Sequence, residues 1–141
     1  MKDYKISIIT VTKNSEKFLR KNINSVLSQN YKNYEHIIVD GNSTDNTIKI
    51  IKSFKKKVKY IKNKNDKGLY HAMNVGIKNS KGTIIGILNS DDVYFKNTFK
   101  IVNKYFQDQK SLDFLFGSVY KHKLLHGYKP WKVNFSFGFY S

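Results

Sequence analysis

The sequence predicts an α/β fold in which helices cover both faces of a mainly parallel central sheet. Two observations indicate this arrangement. Short, continuously apolar runs alternate with segments in which apolar residues recur every three or four positions, the spacing of a helix. Continuously apolar strands are typical of parallel sheets covered on both sides, and their alternation with helices is typical of strand–helix–strand units. We therefore expect a single three-layer α/β/α domain over residues 1–141, with its core in residues 5–120.

Five runs qualify as strands, and polar or turn-forming residues bound them: residues 6–12, 36–40, 58–61, 83–88 and 114–120. The residues that follow are aromatic, with a weak alternation at Phe135, Phe137 and Phe139. An apolar ending with nothing after it to cover it is unusual in soluble proteins. This ending is therefore either a last edge strand packed on the sheet or the start of a further region of a longer chain.

Four segments show the helical spacing of apolar residues, and each follows one of the predicted strands: residues 19–27, a segment that opens at residue 43 or 44, residues 69–77 and residues 95–106. Ser15 is the expected N-cap of the first helix, and Asp45 is expected in the first turn of the second. Gly82 is the expected left-handed terminator of the third.

The chain is strongly basic, with 26 Lys and Arg residues against 10 Asp and Glu residues and a formal charge of +16. Residues 49–67 hold nine of the lysines and a single acidic residue. This segment is either a solvated surface or a face that contacts an anionic membrane, where each nearby basic residue contributes about 1 kcal/mol.

No cysteine is present, which excludes a disulfide framework and a thiolate metal site and fits a reducing compartment. The amino-terminal residues lack a signal-peptide pattern, and no apolar run approaches the roughly 20 residues that a membrane-spanning helix needs. We therefore expect a cytoplasmic protein, and the lysine-rich segment leaves open a peripheral contact with the inner face of the cell membrane.

Polar clusters follow four of the predicted strands, at the edge where open parallel sheets bind their ligands. They are residues 10–14 (TVTKN), 40–47 (DGNSTDNT), 63–68 (NKNDKG) and 89–92 (NSDD). Each of the first three is also explained by a turn and a helix cap. The coincidence of all four at one edge favours a binding site.

Asp91 and Asp92 are adjacent carboxylates directly behind an apolar strand. Neighbouring carboxylates repel each other and lose hydration at a sheet edge, so a site that keeps both ionised normally supplies a cation. Mg²⁺ or Mn²⁺ held by one or two carboxylates keeps coordination positions open for phosphate oxygens. The pair therefore predicts a divalent metal site for a phosphorylated ligand, which the many lysines would attract.

The sequence lacks the motifs of several enzyme classes. The chain contains no GxxxxGK[ST] loop, no GxGxxG and no GxSxG. A P-loop NTPase, a dinucleotide oxidoreductase and a serine hydrolase of the nucleophile-elbow type are therefore not supported. A metal-assisted site for a nucleoside diphosphate remains.

Four segments carry a family resemblance: SIITVTKN, IIVDGNSTDNT, NDKGLYHAMNVGI and LNSDDVY, in this order and spacing. Over residues 5–107 the chain resembles the nucleotide-sugar-binding half of family 2 glycosyltransferases of the GT-A (Rossmann-like) fold, of the type that builds bacterial surface polysaccharides. The resemblance implies that residues 121–141 begin an acceptor-side region and that the chain is truncated at its carboxyl end.

The resemblance also implies site residues. The backbone of Thr10, Val11 and Thr12 would line the nucleoside pocket, and Asp40 would accept a hydrogen bond from the base. Asp66 and Lys67 would lie near the base and phosphates. Asp91 would lie by the ribose and metal, and Asp92 would be the direct ligand of Mg²⁺ or Mn²⁺ in a DXD-type motif, written here as SDD with Ser90 in place of an acid.

The implied reaction is transfer of a sugar from a nucleotide-diphospho-sugar, with a UDP-sugar as the first candidate, to a saccharide or lipid-linked glycan with inversion at the anomeric carbon. The family's general base lies well downstream of the metal motif. The acids after Asp92 are Asp108 and Asp113, and neither falls where that base is expected. We therefore assign no catalytic base within the chain.

Three other functions stay open at this point. A truncated nucleotide-sugar-binding module would bind donor and metal without transferring sugar. A nucleotidyltransferase also uses carboxylate-held metal, although the glycine-rich amino-terminal loop expected there is missing. Nucleic-acid binding fits the charge, but no recognition motif accompanies it, so we expect no nucleic-acid partner.

Overall fold

The computed structural model describes residues 3–117 and the backbone of residues 119–120 and 132–133. The elements are β1 (Ile6–Thr12), α1 (Leu19–Leu27), β2 (Tyr34–Asp40), α2 (Thr47–Ser53), a 3-10 turn (Lys55–Lys57), β3 (Lys59–Lys62), α3 (Leu69–Lys78), β4 (Ile84–Ile87), α4 (Thr98–Asp108), β5 (Val119–Tyr120) and β6 (Lys132–Val133). The chain divides into two compact units, Met1–Asn103 and Lys104–Ser141. The prediction of one domain over residues 1–141 stays a prediction.

The main sheet lies in the first unit and has the strand order β3-β2-β1-β4. All three pairings are parallel, and in the register Ile9 lies between Ile37 of β2 and Ile87 of β4. β1 and β2 are almost entirely buried, which agrees with their continuous apolarity. The parallel sheet was therefore predicted correctly, and all four carboxyl ends point to one edge.

Helices cover both faces of this sheet. Ile38 packs on one face with Leu19 and Ile23 of α1 and with Ile51 of α2. On the opposite face Ile37 and Val39 pack with Ala72 of α3. Adjacent residues of one strand thus enter different clusters, because successive side chains of a strand point to opposite faces. The predicted three-layer arrangement is confirmed for this unit.

The fifth predicted strand, residues 114–120, is largely wrong. Residues 112–117 have no regular secondary structure, and the side chains of Phe114 and Phe116 are 77% and 72% exposed. An aromatic run predicts a strand only when something covers it, and these rings are uncovered. The strand pair that the structure has, β5 with β6, is antiparallel. Phe135, Phe137 and Phe139 lie outside the described residues.

The N-cap of α1, the starts of α2 and α4 and the end of α3 differ from the prediction, with α4 beginning at Thr98 rather than at residue 95. The N-cap of α1 is Phe18 rather than Ser15, and α2 begins at Thr47 rather than at residue 43 or 44. Ser15, Ser43 and Thr44 form loop contacts instead, as described below. Asp45, predicted in the first turn of α2, precedes that helix and accepts a hydrogen bond from the N–H of Thr47 at 2.9 Å. The α3 helix ends at Lys78, and Gly82 has no positive φ. A side chain at Gly82 would clash, since a Cβ there would lie 2.8 Å from Lys5 O.

A short chain of polar side chains crosses the buried part of the first unit. His36 Nε2 lies 2.9 Å from Thr10 Oγ1, which lies 3.3 Å from Asn22 Oδ1. All three residues are at most 1% exposed. Burial lowers the pKa of His36 from 6.5 to about 3, so the imidazole is neutral in the folded protein at physiological pH.

We predict that His36 makes the folded protein less stable as the pH falls below 6.5. The unfolded chain takes up a proton on this side chain near pH 6.5, whereas the folded chain excludes it until about pH 3. The stability that neutral His36 provides is thus complete above pH 6.5 and is lost as the pH falls toward 3, at up to about 1.4 kcal/mol per pH unit.

Urea unfolding of the wild type and of His36→Gln between about pH 7 and pH 4 measures this contribution. Glutamine keeps an N–H donor without a proton to titrate, so its free energy of unfolding is expected to fall less steeply with acid. Parallel curves for the two proteins would contradict the prediction.

Candidate functional site

The loops after β1 and β2 are joined by hydrogen bonds at the carboxyl edge of the sheet. The backbone N–H of Asn14 donates to Ser43 Oγ at 2.9 Å, and the N–H of Thr44 donates to Asn14 Oδ1 at 2.8 Å. The N–H of Ser15 donates to Thr47 Oγ1 at 2.8 Å. Ser43 and Thr44 are therefore occupied in bridging two loops, which explains why α2 begins later than the sequence suggests.

The β1 loop also contacts the loops after β3 and β4. Lys13 Nζ forms an ion pair with Asp66 Oδ2 at 3.3 Å. The hydroxyls of Ser15 and Ser90 lie 2.8 Å apart. All four polar clusters predicted from the sequence thus meet at one edge, with the β1 loop touching each of the other three.

The acidic residues 91 and 92 belong to a tight turn, residues 89–92, which we call the acidic turn. The N–H of Asp92 donates to Asn89 O at 3.0 Å and closes it. Asp91 and Asp92 are both exposed. Asp92 Oδ2 accepts one long hydrogen bond, 3.3 Å, from Asn89 Nδ2, while the Asp91 carboxylate bonds to no residue within the described part of the chain.

This donor set fits a hard divalent cation. Two neighbouring carboxylates with nearly all their lone pairs available are the oxygen ligands that Mg²⁺ and Mn²⁺ prefer. Among the described residues no group of three or more His, Asp or Glu side chains could enclose a metal. Asp91 and Asp92 as the protein's metal ligands stay a prediction; water or phosphate oxygens would have to complete the coordination of a cation held by two carboxylates.

Tyr94 lies just behind the acidic turn, with its ring against Phe99 at a centroid distance of 5.5 Å. Burial, together with the negative charge of Asp92, raises the pKa of Tyr94 to about 12. The phenol consequently stays protonated at neutral pH and adds no negative charge beside the two carboxylates.

Asp66 lies where the β1, β2 and β3 loops meet. Besides the ion pair with Lys13, its Oδ1 accepts a hydrogen bond from the N–H of Gly68 at 3.1 Å. A Cβ on Gly41 would lie 2.7 Å from Asp66 Oδ2, so the missing side chain of Gly41 makes room for this carboxylate. Lys67 beside it is exposed.

Asp40 lies beneath the loop surface. Its side chain is 0% exposed, and its carboxylate accepts hydrogen bonds from the N–H and the hydroxyl of Ser43. In this conformation a base would reach Asp40 only by displacing Ser43. The contact between Asp40 and a base stays a prediction.

The other predicted nucleotide residues differ in accessibility. Thr10 and Thr12 are buried, and Val11 between them is half-buried. Thr12 Oγ1 has no hydrogen-bond partner among the described residues. The prediction for these three positions concerned their backbone, and it also stays a prediction.

Three residues of the site were not singled out from the sequence: Lys13, Ser15 as a contact of Ser90, and Asn22. The signal for Asn22 was present, because it occupies a position of the apolar stripe of α1, three residues after Leu19 and four before Val26. A polar residue in such a stripe is buried and must find partners.

The fold and the site together define a class of protein: an α/β domain that gathers polar loops around an acidic, metal-compatible turn at the carboxyl edge of a parallel sheet. Within that class the chain belongs to glycosyl transferase family 2, whose profile matches residues 7–139.

One known protein similar to this chain is the Escherichia coli enzyme named UDP-Glc:alpha-D-GlcNAc-diphosphoundecaprenol beta-1,3-glucosyltransferase WfgD. The two sequences are 35% identical over 102 residues, which cover 72% of this chain and 40% of WfgD. Staphylococcus aureus TarS 1–349 in complex with UDP-GlcNAc superposes with a TM-score of 0.70 at 30% identity, covering 74% of this chain and 31% of that one.

A mannosyltransferase from Pyrobaculum calidifontis, in complex with GDP-Man and Mn²⁺, superposes with a TM-score of 0.67 at 19% identity, covering 74% of this chain and 32% of that one, and shares the fold. These findings confirm the predicted family and the GT-A class. The chain spans 16% to 47% of the length of curated relatives that it matches. No helix in the described residues has the length and apolarity to cross a membrane.

We predict that Asn14→Ala lowers the free energy of unfolding of the protein by about 1–2 kcal/mol, because it weakens the joined loops. Asn14 has a φ of 52°, a left-handed conformation that alanine adopts with strain, and its side chain accepts the bond from the N–H of Thr44. Asn14→Gly loses the same bond without the strain, so its free energy of unfolding, measured in urea, should fall less. An equal loss in both variants would show that the conformation of Asn14 is not strained.

Proposed function

We propose that the chain is the donor-binding part of a metal-dependent, inverting glycosyltransferase that uses a UDP-sugar. The observation that carries the proposal is the acidic turn at the carboxyl edge, where Asp91 and Asp92 are exposed and almost unbonded. The names of WfgD and of the TarS complex, which both mention UDP-linked sugars, support UDP as the donor nucleotide.

In this proposal each part of the site has a chemical task. Asp91 and Asp92 hold Mg²⁺ or Mn²⁺, and that cation, when bound, neutralises charge on the departing diphosphate. Lys67 adds positive charge beside the phosphates, and the pair of Asp66 with Lys13 fixes the loop next to the nucleoside. The backbone of Thr10, Val11 and Thr12 lines the nucleoside pocket, and Asp40 accepts a hydrogen bond from the base in a conformation that exposes its carboxylate. The acceptor hydroxyl attacks the anomeric carbon from the face opposite the diphosphate, and the bond from that carbon to the diphosphate oxygen breaks, so that UDP leaves and the configuration is inverted. The hydroxyl proton passes to a general base, to which no residue is assigned.

The acceptor in this proposal is a saccharide or a lipid-linked glycan, and the name of WfgD, which includes the acceptor alpha-D-GlcNAc-diphosphoundecaprenol, supports it. No general base is assigned, because Asp108 and Asp113 are not expected at the reacting hydroxyl. A nucleotide-sugar-binding module without transfer is the second candidate, and the transfer measurement described below distinguishes it from the transferase.

We expect UDP to stabilise the protein in a metal-dependent way. Thermal unfolding is measured with UDP, GDP, dTDP or CMP, each with and without Mn²⁺. A ligand at about 100 times its Kd adds about 2.7 kcal/mol to the stability of the folded state. The increment due to Mn²⁺ should disappear in Asp92→Asn, and it should persist in Asp113→Asn, an exposed aspartate outside the acidic turn.

Equal loss in both variants, or no response of the wild type to any nucleotide with metal, would contradict the proposed site. Transfer is tested separately, with a UDP-sugar and a GlcNAc-diphospholipid acceptor. Product with inverted configuration supports the transferase, and metal-dependent binding without product supports the binding module.

We further propose that the lysine-rich segment contacts anionic membrane. Lys52, Lys56 and Lys57 are exposed on and after α2. Replacing them together by Glu should reduce cosedimentation with vesicles containing phosphatidylglycerol by about tenfold or more at low salt. The control replaces the exposed Lys78, Lys96 and Lys100 by Glu, which changes the net charge equally. Similar losses in the two triple variants would indicate attraction by net charge and contradict a specific face.

A further inference from the structure

Asn22 of α1 donates two hydrogen bonds to the acidic turn from beneath. Its side chain is fully buried, and its Nδ2 donates to Asn89 O at 2.8 Å and to Asp92 O at 2.9 Å. These are the backbone carbonyls of the first and last residues of the turn, on either side of Ser90 and Asp91. One side chain thereby fixes both ends of the segment that carries the two carboxylates.

The orientation of this amide is determined by its partners. Backbone carbonyls only accept hydrogen bonds, so the NH₂ group of Asn22 must face the turn and its Oδ1 must face Thr10. Thr10 Oγ1 then donates its hydrogen to Asn22 Oδ1 at 3.3 Å. Reversing the amide would place its oxygen against two carbonyl oxygens.

The orientation of the Asn22 amide also determines the direction of the hydrogen bond between His36 and Thr10. With its hydrogen given to Asn22, the Thr10 hydroxyl can only accept from His36 Nε2 at 2.9 Å. Neutral His36 is thus protonated on Nε2, and its Nδ1 is the acceptor atom that has no partner among the described residues. The hydrogen bonds run in one direction, from β2 through β1 and α1 to the acidic turn.

We propose that Asn22 is a positioning residue that sets the direction of the Asp91 and Asp92 carboxylates for the divalent cation, an inference that rests on the proposed metal and nucleotide site. Exposed carboxylates point where their backbone directs them. The turn has its own closing bond between Asp92 and Asn89, and Asn22 attaches it to the sheet. Loss of the two amide bonds lets the turn shift while the rest of the fold is retained.

Asn103 of α4 is the matched control. It is also a buried helical asparagine, 6% exposed, and it also bonds to another segment: its Nδ2 donates to Asp3 Oδ1 and its Oδ1 accepts from the N–H of Tyr4, both at 3.0 Å. It contacts no residue of the acidic turn. Its replacement reports the general effect of losing a buried asparagine.

Titration calorimetry with the 141-residue chain measures the affinity for UDP with EDTA and with Mn²⁺. For Asn22→Ala we expect the affinity for UDP with Mn²⁺ to be at least tenfold weaker than in the wild type, a loss typical when a residue behind a metal ligand is changed. The affinity for UDP with EDTA should stay within about twofold of the wild type. Asn103→Ala should match the wild type in both titrations, although urea unfolding should show that both variants lose stability.

Thr10→Val is a second variant, in case Asn22→Ala does not fold. It removes the hydroxyl that orients the amide and keeps the shape, so the ratio of affinities with and without Mn²⁺ should fall severalfold. A ratio unchanged in every folded variant, or reduced equally in Asn103→Ala, would overturn the inference alone. A wild type without Mn²⁺-dependent UDP binding would overturn both the inference and the proposed function.

Discussion

The parallel pairing of β1 with both β2 and β4 is the constraint on which the rest of this structure depends. Parallel strands end at the same edge, so the polar residues that follow them converge without any long connection. Because β1 lies between the other two, its following loop reaches Ser43, Asp66 and Ser90 at once. A shift of this register by one residue would exchange the side chains of β1 between the two covered faces of the sheet and separate these loops.

The buried polar residues form the second level of organisation. A polar group inside a sheet-and-helix core is retained only when its partners are in place, because an unpaired one costs about 1–3 kcal/mol. Here His36 Nε2, Thr10 and Asn22 bond to one another in sequence, and Asn22 also bonds to the backbone of the acidic turn, while His36 Nδ1 has no partner among the described residues. The core therefore determines the position of an exposed loop, which a surface contact alone would hold less firmly.

Much of this arrangement was predictable from the sequence, and the exceptions have physical reasons. Continuous apolarity identified β1 and β2, and turn-forming residues identified the four clusters, because both signals are local. The start of α2 was misjudged since Ser43 bonds across to the β1 loop, a partner 29 positions earlier in the chain. Asn22 was missed for the same reason, its partners lying 67 and 70 positions away. Local patterns name the residues of a site, and only the tertiary structure shows which of them contact each other.

The three residues whose hydrogen bonds lead to the acidic turn, His36, Thr10 and Asn22, all carry no charge. Asparagine and threonine do not titrate, and burial, which lowers the pKa of His36 to about 3, keeps its imidazole neutral at physiological pH. The scaffold that carries the two carboxylates is thus indifferent to acidity over the whole physiological range. The hydrogen bonds that hold the acidic turn are therefore the same at every pH in this range.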